Sequence, residues 1–166
     1  LLLTSFIGLI TLTGFTINDK HTSEGDGKIN WVTIEQAEEL QKTEKRPIYI
    51  DVYTDWCGPC KMMSSKTFTN KAVIEMMNAK FYAVKFNAES NTALKFKGKS
   101  YTSPGRNHSF TNYLNIKAFP TSVFIDGDLN TITNVAGYFG PKEFLPMLEY
   151  IGDAHYKNKS WEEFTK

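Results

Sequence analysis

The 166-residue chain holds two cysteines, and they stand together in Trp56-Cys57-Gly58-Pro59-Cys60-Lys61. Two thiols at Cys-x-x-Cys spacing can interconvert between dithiol and disulfide, so the motif points to thiol–disulfide exchange. Half of a zinc site is a competing reading, but structural zinc needs a full tetrahedral set of protein ligands. The histidines, His21, His108 and His155, fall in stretches read as loop or tail. Two inert structural thiols are the third option. A cysteine hydrolase would need a histidine beside its nucleophile, and none falls near the edge where Cys57 is expected.

Such a motif needs a strand before it and a helix after it. Ile48-Tyr49-Ile50-Asp51-Val52-Tyr53 is almost continuously apolar, the pattern of a strand covered on both faces. Gly58 to Lys66 reads as the helix, and Pro59 fits its first turn, where backbone N–H groups are spare. Asp51 is out of place in the buried strand. Burial raises a carboxyl group's proton affinity, which would suit Asp51 to take the Cys60 proton during exchange; an Asp facing solvent at a strand end is the alternative. Lys85 interrupts Phe81–Phe86, a second apolar strand, in the same way, and alternation alone would allow it to face solvent.

The remaining elements follow from local pattern. Ile29–Val32 is a short strand. Thr33 opens a helix with Gln36 as its capping-box partner, with an apolar stripe of Ile34, Ala37 and Leu40 and with Gln41 at its edge. Lys45-Arg46-Pro47 ends it. Asn70–Asn78 is helical. Residues 88–108 are polar and read as a long insertion with a short helical piece around Thr92–Phe96, followed by a short helix over Ser109–Leu114. Thr121–Ile125 and Thr131–Ala136 form a hairpin through Asp126-Gly127-Asp128. Pro141–Tyr156 is the closing helix, with Pro146 expected to kink or locally unbond it. This order gives an α/β fold, a three-layer sandwich around a mixed central sheet.

Composition bounds the rest. The formal net charge of +1 offers no electrostatic case for nucleic acid. The length suits one domain on a scale of roughly 100–200 residues. Residues 1–18 carry no charge, and Leu1–Ile10 reads as the apolar region of an export signal, with a membrane anchor or a buried segment as alternatives. A lipoprotein anchor would require a cysteine there. The expected organisation is an export signal or anchor remnant at 1–18, a linker at 19–28, a folded domain at 29–157 and a polar tail at 158–166 that could add a helical turn.

Taken in order, Asp51, Trp56-Cys57-Gly58-Pro59-Cys60-Lys61, Lys85, Phe119-Pro120-Thr121 and Gly137 resemble the thioredoxin-fold family over roughly residues 29–152. Trp31, the Cys60-Lys61-Met62-Met63 continuation and the Thr67-Phe68-Thr69-Asn70 link are similar to exported members, among them the C-terminal domain of the transmembrane thiol-reductant transporter. The resemblance implies that Cys57 attacks and Cys60, less exposed, resolves the mixed disulfide. It implies that Gly58 and Pro59 set the active-site turn and its redox poise, that Trp56 shapes the contact surface, and that Lys85 tunes Asp51. Pro120 would be cis and face Cys57, leaving the Phe119 backbone free to pair with an extended client segment, and Gly137 would allow close approach. No cofactor or metal is implied, because the cysteine pair carries the electrons. The expected partners are disulfide-containing client proteins and a protein thiol donor embedded in the membrane, with the protein exported to a bacterial periplasm. Two rivals stand beside this reductase: an exported oxidase or isomerase, and a client-binding module that uses the cysteines as a redox switch and residues 88–108 as its specificity element.

Overall fold

The computed structural model describes residues 27–166. The expected export signal and most of the expected linker lie outside the described residues. The elements run β1 (Trp31–Val32), α1 (Ile34–Leu40), β2 (Ile48–Tyr53), α2 (Gly58–Met62), a π-helical turn (Met63–Thr67), α3 (Lys71–Lys80), β3 (Tyr82–Asn87), β4 (Leu94–Phe96), β5 (Lys99–Tyr101), α4 (Ser109–Tyr113), β6 (Thr121–Ile125), β7 (Thr131–Ala136), α5 (Pro141–Gly152), a 3-10 turn (His155–Lys157) and α6 (Trp161–Phe164). Five strands form one sheet in the order β1-β3-β2-β6-β7. The first three are mutually parallel, β6 runs antiparallel to β2, and β7 runs antiparallel to β6. This is the expected mixed sheet flanked by helices.

Strand alternation sorts the core into two faces. Ile48, Ile50 and Val52 of β2 join Val84, Phe86, Val123 and Ile125 on one face, under α1, the β4–β5 hairpin and α4. Tyr49 points the other way, into a cluster with Met63, Phe68, Met77, Phe124, Phe144 and Leu148. Asp51 shares the parity of Tyr49. In register it stands opposite Lys85 on β3 and Ser122 on β6.

Helix α1 starts as expected. Gln36 N–H donates to Thr33 Oγ1 (3.2 Å), and Thr33 N–H donates to Gln36 Oε1 (2.9 Å), a cap of about 1 kcal/mol. The stripe ends differently. Leu40 is 39 % exposed, whereas Gln41 is buried. At 3.6 residues per turn the covered positions are Ile34, Ala37 and Gln41, and the Gln41 amide is satisfied by the Arg46 backbone, accepting its N–H at 2.9 Å and donating to its carbonyl.

The segment 88–108 is not helical at Thr92–Phe96. It is a two-stranded antiparallel hairpin. Leu94 and Phe96 alternate with polar residues, the strand period, and Lys97 (φ 52°) with Gly98 (φ 71°) supplies the two left-handed residues of a tight turn. Glu35 and Glu38 of α1 accept the N–H groups of Lys95 (2.8 Å) and Lys97 (3.1 Å). The base of the segment is pinned twice: Ala88 N–H donates to Tyr53 O (2.8 Å), and His108 N–H donates to Ala88 O (2.8 Å). His108, expected in a loop, is fully buried. Its Nδ1 caps α4 by accepting from Phe110 N–H (3.1 Å), and its Nε2 lies 3.1 Å from Thr92 O.

At the C-terminal side, α5 stops at Gly152 rather than reaching Tyr156. Ala154 adopts a left-handed conformation (φ 57°) that turns the chain into the 3-10 segment. Pro146 lies within α5; lacking an N–H, it offers the Lys142 carbonyl no i+4 donor. Helix α6 opens on a Ser160–Glu163 capping box and packs Trp161 and Phe164 on Tyr150 at 5.3 and 5.2 Å between ring centroids. Among the described residues, no helix is long and apolar enough to cross a membrane.

Candidate active site

β2 delivers the chain to the cysteines. After Tyr53, Thr54 O accepts the Cys57 N–H (3.2 Å) and folds the strand end into a turn. Cys57 is the N-cap of α2, and its Sγ accepts the Cys60 N–H at 3.2 Å. Pro59 lies in the first helical turn, where its missing N–H leaves no bond unmade. Cys57 and Cys60 are joined as a disulfide, with Cα atoms 5.3 Å apart. The expectation that Cys60 is the less exposed of the two is not met in this oxidised form. Cys57 is 3 % and Cys60 4 % exposed, so the two are equally buried.

The helix does not run regularly to Lys66. From Met63 it widens into the π turn, closed by Phe68 N–H donating to Met63 O (2.9 Å). Such turns concentrate at functional sites. Here the turn carries Ser64, whose Oγ accepts from Lys85 Nζ at 3.0 Å. The same ammonium donates to Asp51 Oδ2 at 3.0 Å. It also lies 5.0–5.3 Å from the ring centres of Trp31, Tyr53 and Phe68, within cation–π range of all three.

Asp51 is 1 % exposed. Burial pushes its carboxyl above the usual range, and the Lys85 ammonium opposes this only in part. Its Oδ1 has no partner, and neither does the buried Thr54 hydroxyl; among the described residues these are the two buried side-chain atoms so placed. Tyr49 lies on the same face, its hydroxyl 3.2 Å from Ser122 Oγ. Burial, reinforced by the Asp51 charge, pushes the Tyr49 phenol well above its ordinary value. A cleft of about 350 Å³ opens beside Cys60, lined by Tyr53, Thr54, Asp55, Lys61, Ser64 and Ser65. A larger one, about 440 Å³, lies between β7 and α5 and contains neither cysteine.

Trp56 is not a core aromatic. It is 60 % exposed and stands edge-on to Phe119, ring centres 6.1 Å apart. That contact joins the cysteine loop to the loop before β6. The Phe119–Pro120 peptide bond is cis. Pro120 O accepts the Gly137 N–H at 2.8 Å, and Gly137 has φ 118°, a conformation that disfavours any side chain. The structure therefore gathers Trp56, Phe119, Pro120 and Gly137 through direct contacts, and Asp51 with Lys85 through another.

Four side chains beside the site were not singled out by the sequence: Thr54, Ser64, Glu89 and Arg106. Trp56 Nε1–H donates to Glu89 Oε2 (3.0 Å), and Arg106 Nε–H donates to Glu89 Oε1 (3.0 Å). These bonds, the indole's foremost, hold the Glu89 carboxyl below its usual range. Ser64 follows Cys60 by four positions, one helical turn, which is a readable signal. Glu89 and Arg106 have none, since their pairing is long-range. The one group of potential metal ligands among the described residues, Glu149, Asp153 and His155, includes neither cysteine, and Asp153 already pairs with Lys80.

Comparison with known proteins agrees with this geometry. The chain is 24 % identical over 140 residues to the thiol:disulfide interchange protein DsbD of Actinobacillus pleuropneumoniae, an alignment covering 81 % of this chain and 22 % of that protein. The chain thus spans about a fifth of the length of the curated relatives it matches. Among solved structures, the DsbH oxidoreductase superposes with a TM-score of 0.58 at 15 % identity, covering 80 % of this chain and 87 % of that one. The oxidised C-terminal domain of Neisseria meningitidis DsbD gives 0.54 at 18 % identity, with coverage of 70 % and 90 %. Residues 34–152 match the thioredoxin-like domain family. With its Cys57–Cys60 pair at the end of β2, the chain belongs to that family and is a thioredoxin-like thiol–disulfide oxidoreductase.

Proposed function

We propose that the protein works in the reducing direction, passing two electrons from the Cys57–Cys60 dithiol to disulfides of client proteins. The observation that carries this reading is the Cys-Gly-Pro-Cys turn beside a buried carboxyl whose proton affinity is raised. The Cys57 thiolate attacks one client sulfur, and the other leaves as thiolate. Cys60 then loses its proton to the Asp51 carboxylate and attacks Cys57 Sγ. The Cys57–Cys60 bond forms, the mixed disulfide breaks and releases the attacked client sulfur as thiolate, and Asp51 returns its proton to solvent. Lys85, held by Asp51 and Ser64, keeps the carboxyl from becoming too weak an acid to recycle. Phe119 offers its backbone to an extended client strand beside Pro120, and Gly137 leaves room for that strand.

The disulfide form must be re-reduced, so the reading requires a protein thiol donor. The relation to DsbD supports a membrane-embedded donor and work in an exported compartment, with 29–157 as the folded unit. Equilibrating the protein in defined thiol–disulfide buffers and trapping free thiols would give the reduction potential. A value near that of thioredoxin, about −270 mV, supports the reductase; one near about −120 mV reverses the direction.

A further inference from the structure

The rim around Cys57 is unevenly charged. Its two carboxylates are occupied from within: Asp55 Oδ2 accepts from Asn87 Nδ2 (3.1 Å), and Glu89 accepts from Trp56 and Arg106 (3.0 Å each). The cations are only partly engaged. Arg106 is 79 % exposed in its side chain. Among the described residues it uses only Nε, towards Glu89, which leaves the donors of its two terminal nitrogens unspent. Lys61, directly after Cys60, and Lys117, three residues before Pro120, are both exposed and in no ion pair among the described residues.

Arg106 is also fixed in place relative to the reacting sulfur. Glu89 ties it to the Trp56 indole, and Trp56 is the residue before Cys57. Glu89 itself follows Ala88, whose N–H is bonded to the end of β2. A planar guanidinium held this way recognises a carboxylate.

We propose that Arg106 is a specificity residue of the exchange reaction, docking a client segment that carries an acidic side chain next to its disulfide. The inserted segment thereby reads charge at the site, and Lys61 and Lys117 favour the same sign. This rests on the thiol–disulfide exchange reading above.

Three peptides of equal length test it, each with one disulfide, flanked by Glu, by Lys or by Ser, with dithiothreitol recycling the protein. The wild type is expected to show kcat/KM about three- to fivefold higher for the Glu peptide than for the Lys peptide. The ratio should shrink as salt rises, fall by at least half in Arg106→Gln, the remainder coming from Lys61 and Lys117, and fall further in Arg106→Glu. Because the readout is a ratio, a general loss of activity does not mimic it. Equal rates in the wild type, or a preference undiminished in Arg106→Gln, would overturn the proposal. Failure to reduce even the Ser peptide would remove the exchange reading, and the proposal with it.

Discussion

The two faces of the central sheet are built from the same strands and differ in kind. The face under α1, the hairpin and α4 is mainly apolar, from Ile50 and Phe86 to Phe96 and Phe110, with buried His108 packed on Phe86 and both its ring nitrogens within hydrogen-bond distance of backbone atoms. The opposite face sets Tyr49, Asp51, Lys85 and Ser122 among its aromatics, with Tyr49–Ser122 and Asp51–Lys85 as hydrogen-bonded pairs. Helix α2 packs on that second face, since the π turn that extends it contributes Met63 to the same cluster. The difference separates two tasks. One face holds the strands together by burial; the other spends some of that burial on a polar row that reaches the cysteine helix. Burial of the Asp51 carboxyl is costly, and the more exposed Lys85 offsets it only in part, so the row is a poor device for stability alone.

Substitutions on each face should therefore act in opposite directions. The largest effect is expected from Phe110→Ala. Phe110 is fully buried and touches the rings of Phe86, Phe96, Tyr101 and Tyr113 at 5.0–5.6 Å. Its truncation should cost about 3–5 kcal/mol in denaturant melts while leaving the Cys57–Cys60 reduction potential in place. A shift in potential would show that the dry face takes part in the chemistry.

Asp51→Asn should do the reverse, gaining stability at pH 7 because the amide has no charge to desolvate, and slowing exchange by about tenfold or more. Its pH dependence follows from the raised carboxyl. Between the unfolded and folded proton affinities the folded state keeps a proton that the unfolded state has lost, so wild-type stability falls as pH rises through that window. The advantage of Asn should fade on acidification and vanish below the unfolded value. An Asn variant less stable than wild type at pH 7 would mean the Asp51–Lys85 pair is a net stabiliser.

The smallest effect tests where the dry face ends. Leu40→Lys should change stability by less than about 0.5 kcal/mol, because Gln41 occupies the covered position instead. A loss of a full Leu burial, about 1.5–3 kcal/mol, would return Leu40 to the core.

Features with a local cause could be read from sequence. The buried run of β2, the Thr33 cap and the strand–turn–helix around Cys57 each depend on neighbours within a few positions. Asp51 and Lys85 were conspicuous as charges in apolar runs, although the bond between them spans 34 positions. The hairpin was missed because Lys95, Lys97 and Lys99 mask a period-two pattern carried by few apolar residues. The missing turn of α5 and the burial of His108 depend on tertiary closure, as does the bridge from Arg106 through Glu89 to Trp56. None of these leaves a trace in local composition.

The hydrogen bond from His108 to Ala88 brings the two ends of the inserted segment together, one residue from the end of β3. A segment that leaves and returns at one point is a cassette: the framework on either side is indifferent to what lies between. Its length, tip and outward charge can change without moving the cysteines, provided that the replacement brings an apolar underside to lie where Phe96 and Tyr101 now cover the sheet. Related chains could thus acquire new clients by exchanging one surface loop, with the redox centre inherited whole.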